Sequence, residues 1–337
     1  METVALRRSL LAYYRRHARD LPWRQTADPY AIWVSEIMLQ QTQVKTVVPR
    51  FAAFLRLFPT TAALAAADET TVCEAWAGLG YYRRARNLHK AARQIVAEHD
   101  GSMPRTEAAL RNLAGIGRYT AAAIASIAFE ERVAAVDGNL IRVIARVFAL
   151  PGRASDAKLV NCVRENARRL VDGPSPGEIN QALMDVGATL CRPTSPLCDT
   201  CPLRAQCAAH QAGTQATYPG QKTRAARQVL RIAFAWMERD GGVVLERRPL
   251  DGLWAGLWEL PSASGAAAKR SLSRRLGGPL GGRLAEVTHD LTHRRVEATV
   301  YRAKTATNLG QVWREPLDAP LSALARKAIV AARVLVG

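Results

Sequence analysis

Helical periodicity dominates the first two thirds of the chain. Apolar residues recur three and four positions apart in successive segments from residue 3 to residue 188. This spacing gives each segment an apolar stripe and predicts a set of packed α-helices. After residue 228 the pattern changes: residues 229–237 are strand-like, Asp240-Gly241-Gly242 suits a hairpin turn, and residues 287–301 alternate. An α/β domain is expected there.

Between the two patterns, residues 209–228 contain Gly, Thr, Gln, Pro and Arg but little apolar material, which predicts a linker. A chain of 337 residues is also long for one hydrophobic core, so two domains are expected on length alone. We therefore expect a helical domain at residues 1–208, a linker at 209–228 and an α/β domain at 229–337.

One predicted helix is apolar on nearly every face. It begins at Asp28-Pro29, where Asp is a favoured N-cap and Pro suits the first turn. Glu36 is the only charged residue between Asp28 and Lys45. A buried carboxylate is costly without a partner or a use, and desolvation would raise its pKa toward the range that suits a general acid. A carboxylate paired with an arginine fits this helix equally well.

Two glycines two positions apart separate two further helical patterns. The stretch Leu113-Ala114-Gly115-Ile116-Gly117 follows a short helical pattern at 106–112 and precedes a longer one at 118–129. Glycine lets the backbone turn tightly, and the free N–H groups that start the second helix suit a phosphate. Asp137 precedes a third helical run, as an N-cap or as a carboxylate facing the bound molecule. Taken alone, the motif also fits an ordinary connection between helices.

The charge balance indicates a polyanionic partner. Lys and Arg number 47 against 29 Asp and Glu, a net charge of +18. Nucleic acid is favoured over a membrane, because no single basic amphipathic segment dominates. No run of 18 apolar residues exists that could span a bilayer. A predicted helix after the turn Gly78-Leu79-Gly80-Tyr81-Tyr82 carries cations at helical spacing: Arg83, Arg86, Lys90 and Arg93. Such a stripe is either a solvated face or, beside the tyrosines, a contact for a phosphate backbone.

Four cysteines lie within seventeen residues: Cys191, Cys198, Cys201 and Cys207, separated by six, two and five residues. The charged N-terminus lacks a signal-peptide core, so a cytoplasmic protein without disulfides is expected. Thiols at this density then indicate a metal site. Zinc sites usually show two close pairs, whereas a 4Fe–4S cluster tolerates irregular spacing.

Together these motifs resemble the adenine DNA glycosylases, helix-hairpin-helix repair enzymes that remove adenine mispaired with 8-oxoguanine. The resemblance covers nearly the whole chain, in order. It rests on residues 35–44 (SEIMLQQTQV), the turn at 78–82, the Gly115-Ile116-Gly117 hairpin, residues 136–139 (VDGN) and the four-cysteine loop. It implies a multidomain fold, with a mainly α helix-hairpin-helix glycosylase domain, a 4Fe–4S loop and an α/β Nudix-like C-terminal domain that contacts 8-oxoguanine.

The resemblance also implies roles for individual residues. Glu36 matches the general acid that protonates adenine at N7 and then activates water. Asp137 matches the carboxylate that stabilises the sugar cation, and Tyr119 and Asn139 match residues that position these groups. The matched binding positions are Trp23, Arg24 and Gln181 around adenine, Gln41 and Tyr81 inside the duplex, Gly115 and Gly117 in the hairpin, and Thr292 and His293 at the opposite base. The matched ligands of the 4Fe–4S cluster are Cys191, Cys198, Cys201 and Cys207.

The sequence departs from the family pattern at three places. Ala114 stands where the hairpin usually has proline, which makes the turn less rigid. Leu291-Thr292-His293 replaces the more usual Phe-Ser-His, although threonine keeps a hydroxyl. No Arg-Glu-x-x-Glu-Glu box follows Trp258, which argues against pyrophosphate hydrolysis.

Three other functions fit parts of the pattern. An endonuclease III-type glycosylase/lyase shares the hairpin and the cluster but needs a lysine where Tyr119 stands, because a phenol cannot form a Schiff base. A non-enzymatic iron–sulfur DNA-binding sensor leaves Glu36 unexplained, and a nucleotide-pool hydrolase needs the missing acidic box. We therefore predict a monofunctional DNA N-glycosylase, a monomer in the bacterial cytoplasm and nucleoid, with no membrane partner. Its expected partner is duplex DNA containing adenine opposite 8-oxoguanine or guanine.

Overall fold

The computed structural model describes residues 2–220, 228–249, 252–291, 294–304 and 310–336. The chain divides into two compact units, residues 1–79 with 83–223 and residues 80–82 with 224–337. The first unit is helical and the second is built on β-sheets, which confirms the multidomain fold expected from the change in periodicity. None of the described helices is both long and apolar enough to cross a bilayer.

The described residues of the first unit form twelve α-helices. They are α1 (Glu2–His17), α2 (Pro29–Leu39), α3 (Val44–Leu57), α4 (Thr61–Ala66), α5 (Glu69–Ala75), α6 (Arg83–His99), α7 (Glu107–Leu110), α8 (Arg118–Phe129), α9 (Gly138–Val147), α10 (Ala157–Val171), α11 (Pro176–Asp185) and α12 (Ala208–Gln211). Single helical turns occur at Pro22–Arg24, Val186–Leu190, Cys198–Thr200, Arg204–Gln206 and Gln215–Thr217.

These helices bury two large hydrophobic cores and a small cluster of Ala122, Ala123 and Ala135. Helices α2 to α8 enclose one core, which includes the fully buried Trp33 and Trp76. Helices α1, α9, α10 and α11 enclose the other, around Leu6 and Leu183. Helix α2 packs on α8, and α11 packs on both α8 and α9. The junction between the two cores therefore lies beside α2 and α9, the helices that carry the candidate carboxylates.

The helical hairpin forms between α7 and α8 as expected. The Ile116 N–H donates to the Leu113 carbonyl at 3.2 Å, and Gly115 has a φ of +76°, a conformation that glycine adopts without strain. A Cβ on Gly115 would also lie 2.6 Å from the Cβ of Asn87. Gly117 is the N-cap of α8, and no side chain caps that helix. Its first N–H groups are therefore available to a ligand.

The helical unit continues past residue 208, where we expected a linker to begin. Ala209, in α12, is fully buried, and α12 packs on α9. Farther along, the Gly220 N–H donates to the Gly152 carbonyl at 2.8 Å. The expected boundary was therefore too early, because a few small apolar residues suffice to dock a single helical turn.

The described residues of the second unit form eight strands, two α-helices and a single helical turn at Pro316–Asp318. The strands and α-helices are β1 (Gln228–Trp236), β2 (Glu238–Arg239), β3 (Gly242–Arg247), β4 (Trp258–Glu259), β5 (Ser262–Ser264), α13 (Ala268–Arg275), β6 (Arg283–Asp290), β7 (Arg294–Arg302), β8 (Gln311–Trp313) and α14 (Ala323–Val336).

Strand β1 lies inside a four-stranded sheet of order β5-β1-β7-β6. It pairs in parallel with β7 and antiparallel with β5, while β3 pairs antiparallel with β2, β4 and β8. Ile232 and Phe234 face the core that contains α14, whereas Ala233 and Ala235 face the core that contains α13. This alternation buries both faces of β1 between the two helices. The strands were expected, but the periodicity did not single out α14.

Candidate active site

A carboxyl group lies buried at the junction of the two helical cores. Glu36 on α2 has 6% of its surface exposed. Burial raises its pKa to about 7; a hydrogen bond from Tyr119 limits that rise, and the negative charge of Asp137 adds to it. Arg24 also lowers the pKa slightly through its positive charge. A carboxyl group that titrates near neutral pH can both give and take a proton.

Tyr119, in the first turn of α8, keeps its proton. Burial raises the pKa of this phenol well above its ordinary value, and the charges of Glu36 and Asp137 raise it further. The hydroxyl therefore keeps its proton throughout the physiological pH range; besides its interaction with Glu36, it donates to the Met184 sulfur at 3.8 Å. Because α8 begins at the hairpin, the same helix start that offers N–H groups to a ligand also positions this donor.

Asp137 is the N-cap of α9. Its Oδ1 accepts the Leu140 N–H at 2.7 Å. Burial raises the pKa of Asp137, while the backbone N–H groups of Leu140 and Asn139 lower it by bonding to the ionised form. The N-cap interpretation of this residue is therefore confirmed, and the same carboxylate lies within electrostatic reach of Glu36. Its role toward a bound molecule stays a prediction.

The segment that leads into Asp137 is held by a buried amide that sequence reasoning missed. The Oδ1 of Asn180, on α11, accepts the Ala135 N–H at 3.1 Å. Its Nδ2 donates to the Val133 carbonyl at 2.9 Å and to the Ser126 hydroxyl at 2.8 Å. Asn180 is fully buried, so these bonds fix the extended backbone in front of the carboxylate.

Arg24 is held by an ion pair that sequence reasoning also missed. Its Nη1 and Nη2 donate to the two carboxylate oxygens of Asp185 at 2.5 and 2.9 Å. The Nε of Arg19 donates to the same carboxylate at 2.5 Å. Asp185 is the only charged residue between Glu178 and Arg192, the same isolation that singled out Glu36, so this signal was present in the sequence.

Helix α9 connects the carboxylate to the four-cysteine loop. The Nη2 of Arg142 donates to the Asn139 side-chain oxygen at 2.9 Å, and its Nε donates to the Cys191 carbonyl at 2.7 Å. One turn farther, Nη1 of the buried Arg146 donates to the Arg192 carbonyl at 2.7 Å and lies 3.5 Å from the Cys191 sulfur. Two arginines on one helix therefore fix the start of the loop.

The four cysteines line one cavity whose other walls include Val143, Leu190 and Leu197. Burial raises the pKa of the Cys201 thiol to about 11. Within the described ranges, no three His, Cys, Asp or Glu side chains converge closely enough to hold one metal ion. Thiols spread around an apolar cavity fit a 4Fe–4S cluster, in which each thiolate binds its own iron, better than a single zinc ion.

Gln41 and Tyr81 are exposed and have left-handed backbones, with φ of +58° and +50°. The buried Arg84 lies between the two segments. Its Nη1 donates to the Gln40 carbonyl at 2.6 Å and its Nη2 to the Leu79 carbonyl at 2.8 Å. Arg84 is out of phase with the neighbouring basic stripe, which was the signal that it points inward. The stripe itself is largely on the surface: Arg83, Lys90 and Arg93 are exposed and Arg86 is half-buried.

The remaining candidate residues have mixed positions. Trp23 is 6% exposed and packs edge-on against Phe51 at 5.5 Å, so nearly all of its surface belongs to the core. Gln181 is half-buried on α11. Thr292 and His293 lie outside the described residues.

Comparisons with known families agree with the two units. The profile of the HhH-GPD superfamily of base excision DNA repair proteins matches residues 34–169. A NUDIX domain profile matches residues 232–331. The site carboxylates fall within the first match and the described sheets largely within the second.

Curated relatives and solved structures extend this similarity. An adenine DNA glycosylase from Rattus norvegicus is 37% identical in a match that covers 89% of this chain and 70% of the relative. The adenine DNA glycosylase from Homo sapiens is 36% identical and the match covers 89% and 67%. The structure of a thermostable thymine-DNA glycosylase superposes with a TM-score of 0.57 at 28% identity, covering 63% of this chain and 97% of that one.

Proposed function

This chain belongs to the adenine DNA glycosylases, and on that premise we propose that it hydrolyses the N-glycosidic bond of adenine in duplex DNA. The proposed substrate is adenine mispaired with 8-oxoguanine or guanine, and the product is an abasic site in an intact strand. The observation that carries the proposal is the burial of Glu36, with its pKa raised to about 7 beside Asp137.

Glu36 acts first as the acid. In its protonated form it donates its proton to N7 of adenine, the bond from C1′ to N9 breaks, and neutral adenine leaves with the electron pair. The ionised Glu36 then accepts a proton from the water that attacks C1′, which restores the acid. A positioned acid of this kind contributes roughly 10²–10⁴ in rate. The Tyr119 hydroxyl orients the carboxyl group through both steps.

Asp137 acts on the sugar. Positive charge develops on the sugar ring as the bond breaks, as in glycoside hydrolysis, and a nearby carboxylate stabilises it. The backbone N–H groups of Leu140 and Asn139 favour the ionised form of Asp137. Asn139 is itself held by Arg142 at 2.9 Å. The two carboxyl groups therefore have different environments and opposite tasks.

Adenine must leave the base stack before it can reach a buried acid, which costs a few kcal/mol. We assign the insertion into the duplex to Gln41 and Tyr81, because both are exposed on strained, well-held backbone. The hairpin at Gly115 and Gly117 binds a backbone phosphate through N–H groups. The basic stripe of α6 supplies the electrostatic attraction. We place Arg24 and Gln181 around the extruded adenine and, because of its burial, Trp23 behind them.

The four-cysteine cavity is assigned to a 4Fe–4S cluster held by Cys191, Cys198, Cys201 and Cys207. When bound, the cluster cross-links the loop through iron–thiolate bonds. Purified protein should be brown and contain about four irons per chain. Stoichiometric zinc without iron would contradict the assignment.

We assign recognition of the base opposite adenine to the second unit, through Thr292 and His293. The sequence of this unit lacks the acidic box of a pyrophosphate hydrolase, which supports recognition rather than catalysis. We further propose that the protein acts as a monomer in the cytoplasm and on the nucleoid, since one chain carries both carboxyl groups, the hairpin and the cysteine loop.

The decisive experiment is incubation with duplexes that carry adenine opposite 8-oxoguanine, guanine or thymine. Adenine should be released from the first two, and the strand should break only after alkali is added. Borohydride should not trap the native protein on DNA, because Tyr119 cannot form an imine. Efficient trapping would indicate a lyase, and absence of adenine release would refute the proposed activity.

A further inference from the structure

The turn of the helical hairpin contacts α6 at both of its central positions, through a hydrogen bond at Ala114 and close packing at Gly115. The Oε1 of Gln94 accepts the N–H of Ala114 at 2.8 Å. Asn87 packs under Gly115, where an added Cβ would lie 2.6 Å from the Cβ of Asn87. Asn87 and Gln94 are seven residues apart on α6 and therefore share one face of the helix. The face of α6 that carries Asn87 and Gln94, here called the seat, therefore supports the turn.

The backbone identifies the turn as type II. Ile116 N–H bonds back to the Leu113 carbonyl, and Gly115 has a φ of +76° while Ala114 does not have a positive φ. In a type II turn the first central position, here Ala114, favours proline, whose ring fixes φ and which has no N–H to satisfy. Alanine leaves this position free to rotate in the unfolded chain and adds a partly buried donor that needs an acceptor.

We propose that Gln94 is a positioning residue for DNA binding, because its amide oxygen holds the Ala114 N–H and so does for this turn what a proline ring would do. The turn is thereby fixed in the orientation that presents Gly117 and the first N–H groups of α8 to a phosphate. A neutral amide suits this task better than a carboxylate, which would place a negative charge beside the phosphate.

The same helix also carries the basic stripe. Arg86 immediately precedes Asn87 along the chain, and Arg93 immediately precedes Gln94. Residues adjacent in a helix differ by about 100° in direction, so the seat and the stripe occupy neighbouring faces of α6. The cations and the hairpin amides are therefore held in one fixed register along the phosphate backbone. The inference rests on the proposed function only in that the hairpin binds a DNA phosphate.

A double-mutant cycle in the full-length protein tests this inference. Gln94→Met removes the acceptor at nearly constant volume, and Ala114→Pro removes the donor while fixing the turn. Affinity is measured for an undamaged duplex and for a duplex in which a tetrahydrofuran abasic analogue lies opposite 8-oxoguanine, so that no cleavage occurs. Q94M should bind both duplexes about threefold to tenfold more weakly than wild type. A114P should bind within about twofold of wild type.

The informative comparison is Q94M in the A114P background. In the A114P protein, adding Gln94→Met should change DNA affinity by less than about twofold, because a proline at position 114 has no N–H that needs the Gln94 oxygen. Lys90→Ala is the matched control on the same helix: it should weaken binding equally in both backgrounds, since its charge does not act through the turn. Single-turnover release of adenine at saturating enzyme should fall less than the affinity does in Q94M, because neither carboxyl group is touched.

Two results would overturn the inference: wild-type affinity in Q94M, or an equal loss in the presence and absence of the proline. If Q94M does not fold, Gln94→Ala replaces it in the cycle, and amide hydrogen exchange at Ala114 should be slower in wild type than in that variant. These outcomes are separate from the proposed activity, because a wild-type protein that binds duplexes but releases no adenine refutes the activity and leaves the cycle intact.

Discussion

Arg24 and Asp185 form a buried bidentate ion pair, with 8% and 2% of their side chains exposed. The pair argues against one of the two interpretations that the sequence of α2 left open for Glu36, a carboxylate paired with an arginine, while the role of general acid stays a prediction. Arg24 is near enough to lower the pKa of Glu36, but both of its terminal nitrogens donate to Asp185. Asp185 therefore restrains the arginine that would otherwise neutralise the acid, and Glu36 keeps a phenol as its hydrogen-bond partner.

Asp185→Asn should damage both stability and catalysis. Loss of this charge leaves Arg24 and Arg19 without their shared carboxylate, and breaking a buried pair costs about 3–5 kcal/mol. The freed positive charge should lower the pKa of Glu36 and move the pH profile of adenine release to lower pH. Urea unfolding and single-turnover rates from pH 5.5 to 8.5 measure the two effects. Asp172→Asn, at an exposed ion pair, is the control and should change neither; an unshifted profile in D185N would contradict the argument.

The raised pKa of Glu36 gives two predictions of opposite sign for Glu36→Gln. Adenine release should be lost in E36Q. In wild type, the rate of adenine release should fall about tenfold per pH unit above pH 7, because the acid must be protonated. Stability should increase. The folded pKa of about 7 exceeds the ordinary value of 4.5, so the stabilising contribution of protonated Glu36 is complete below pH 4.5 and is lost as pH rises to 7.

The size of that stability effect follows from the same values. The difference between 4.5 and about 7 corresponds to about 3 kcal/mol. The gap in unfolding free energy between E36Q and wild type should therefore grow between pH 4.5 and 7 and stay constant above it. Near-normal adenine release by E36Q would remove Glu36 from the mechanism whatever the stability shows.

Isolation of a charge in an apolar helix was the most informative feature of the sequence. It located Glu36, and the same test would have located Asp185. It could not reveal Asn180, because a polar residue bonded to distant backbone groups leaves no periodic trace. Arg84 is out of phase with the basic stripe, but it sits within a run of arginines that looks like a solvated surface. The packing of α12 on α9 could not be predicted either, because the few small apolar residues of α12 resemble the composition of a linker.

Arg84→Lys should separate DNA binding from catalysis. The guanidinium bonds the Gln40 carbonyl and the Leu79 carbonyl together, a geometry that a lysine ammonium cannot reproduce. The segments carrying Gln41 and Tyr81 should lose their fixed relation, so base extrusion should slow. We expect a drop of about tenfold or more in the single-turnover rate at saturating enzyme, with a smaller change in affinity.

Arg50→Met provides the control for Arg84→Lys. The Nε of Arg50 donates to the Ala77 carbonyl at 2.9 Å, beside the same turn, whereas Arg84 also bonds the Gln40 carbonyl at the end of α2. Arg50→Met should loosen only the turn and should lower the single-turnover rate less than Arg84→Lys does. Fluorescence of 2-aminopurine placed at the mismatch reports extrusion directly. Equal rate losses in the two variants would mean that Arg84 acts only by stabilising the turn.

Removal of residues 221–337 tests whether this part of the chain recognises the base opposite adenine. The chain should be cut after Gly220, because the Gly220 N–H bonds the Gly152 carbonyl and the Tyr218 carbonyl accepts from Arg146 at 3.0 Å. Both hydrophobic cores of the helical unit lie before that point. The truncated protein should therefore fold and release adenine.

The truncation should reduce the difference between the rates of adenine release from duplexes with 8-oxoguanine and with guanine opposite adenine. A hydroxyl or imidazole that accepts the N7–H of 8-oxoguanine contributes roughly 0.5–1.5 kcal/mol, a preference of about tenfold at most. Thr292→Val in the full chain should narrow the difference less. The rival explanation is that the second unit only stabilises the protein, since Trp254 and Trp258 pack against its own core. Single-turnover rates on both duplexes at one salt concentration decide the matter, because phosphate contacts depend on salt. If the truncated protein discriminates as well as the full chain, recognition resides in the helical unit.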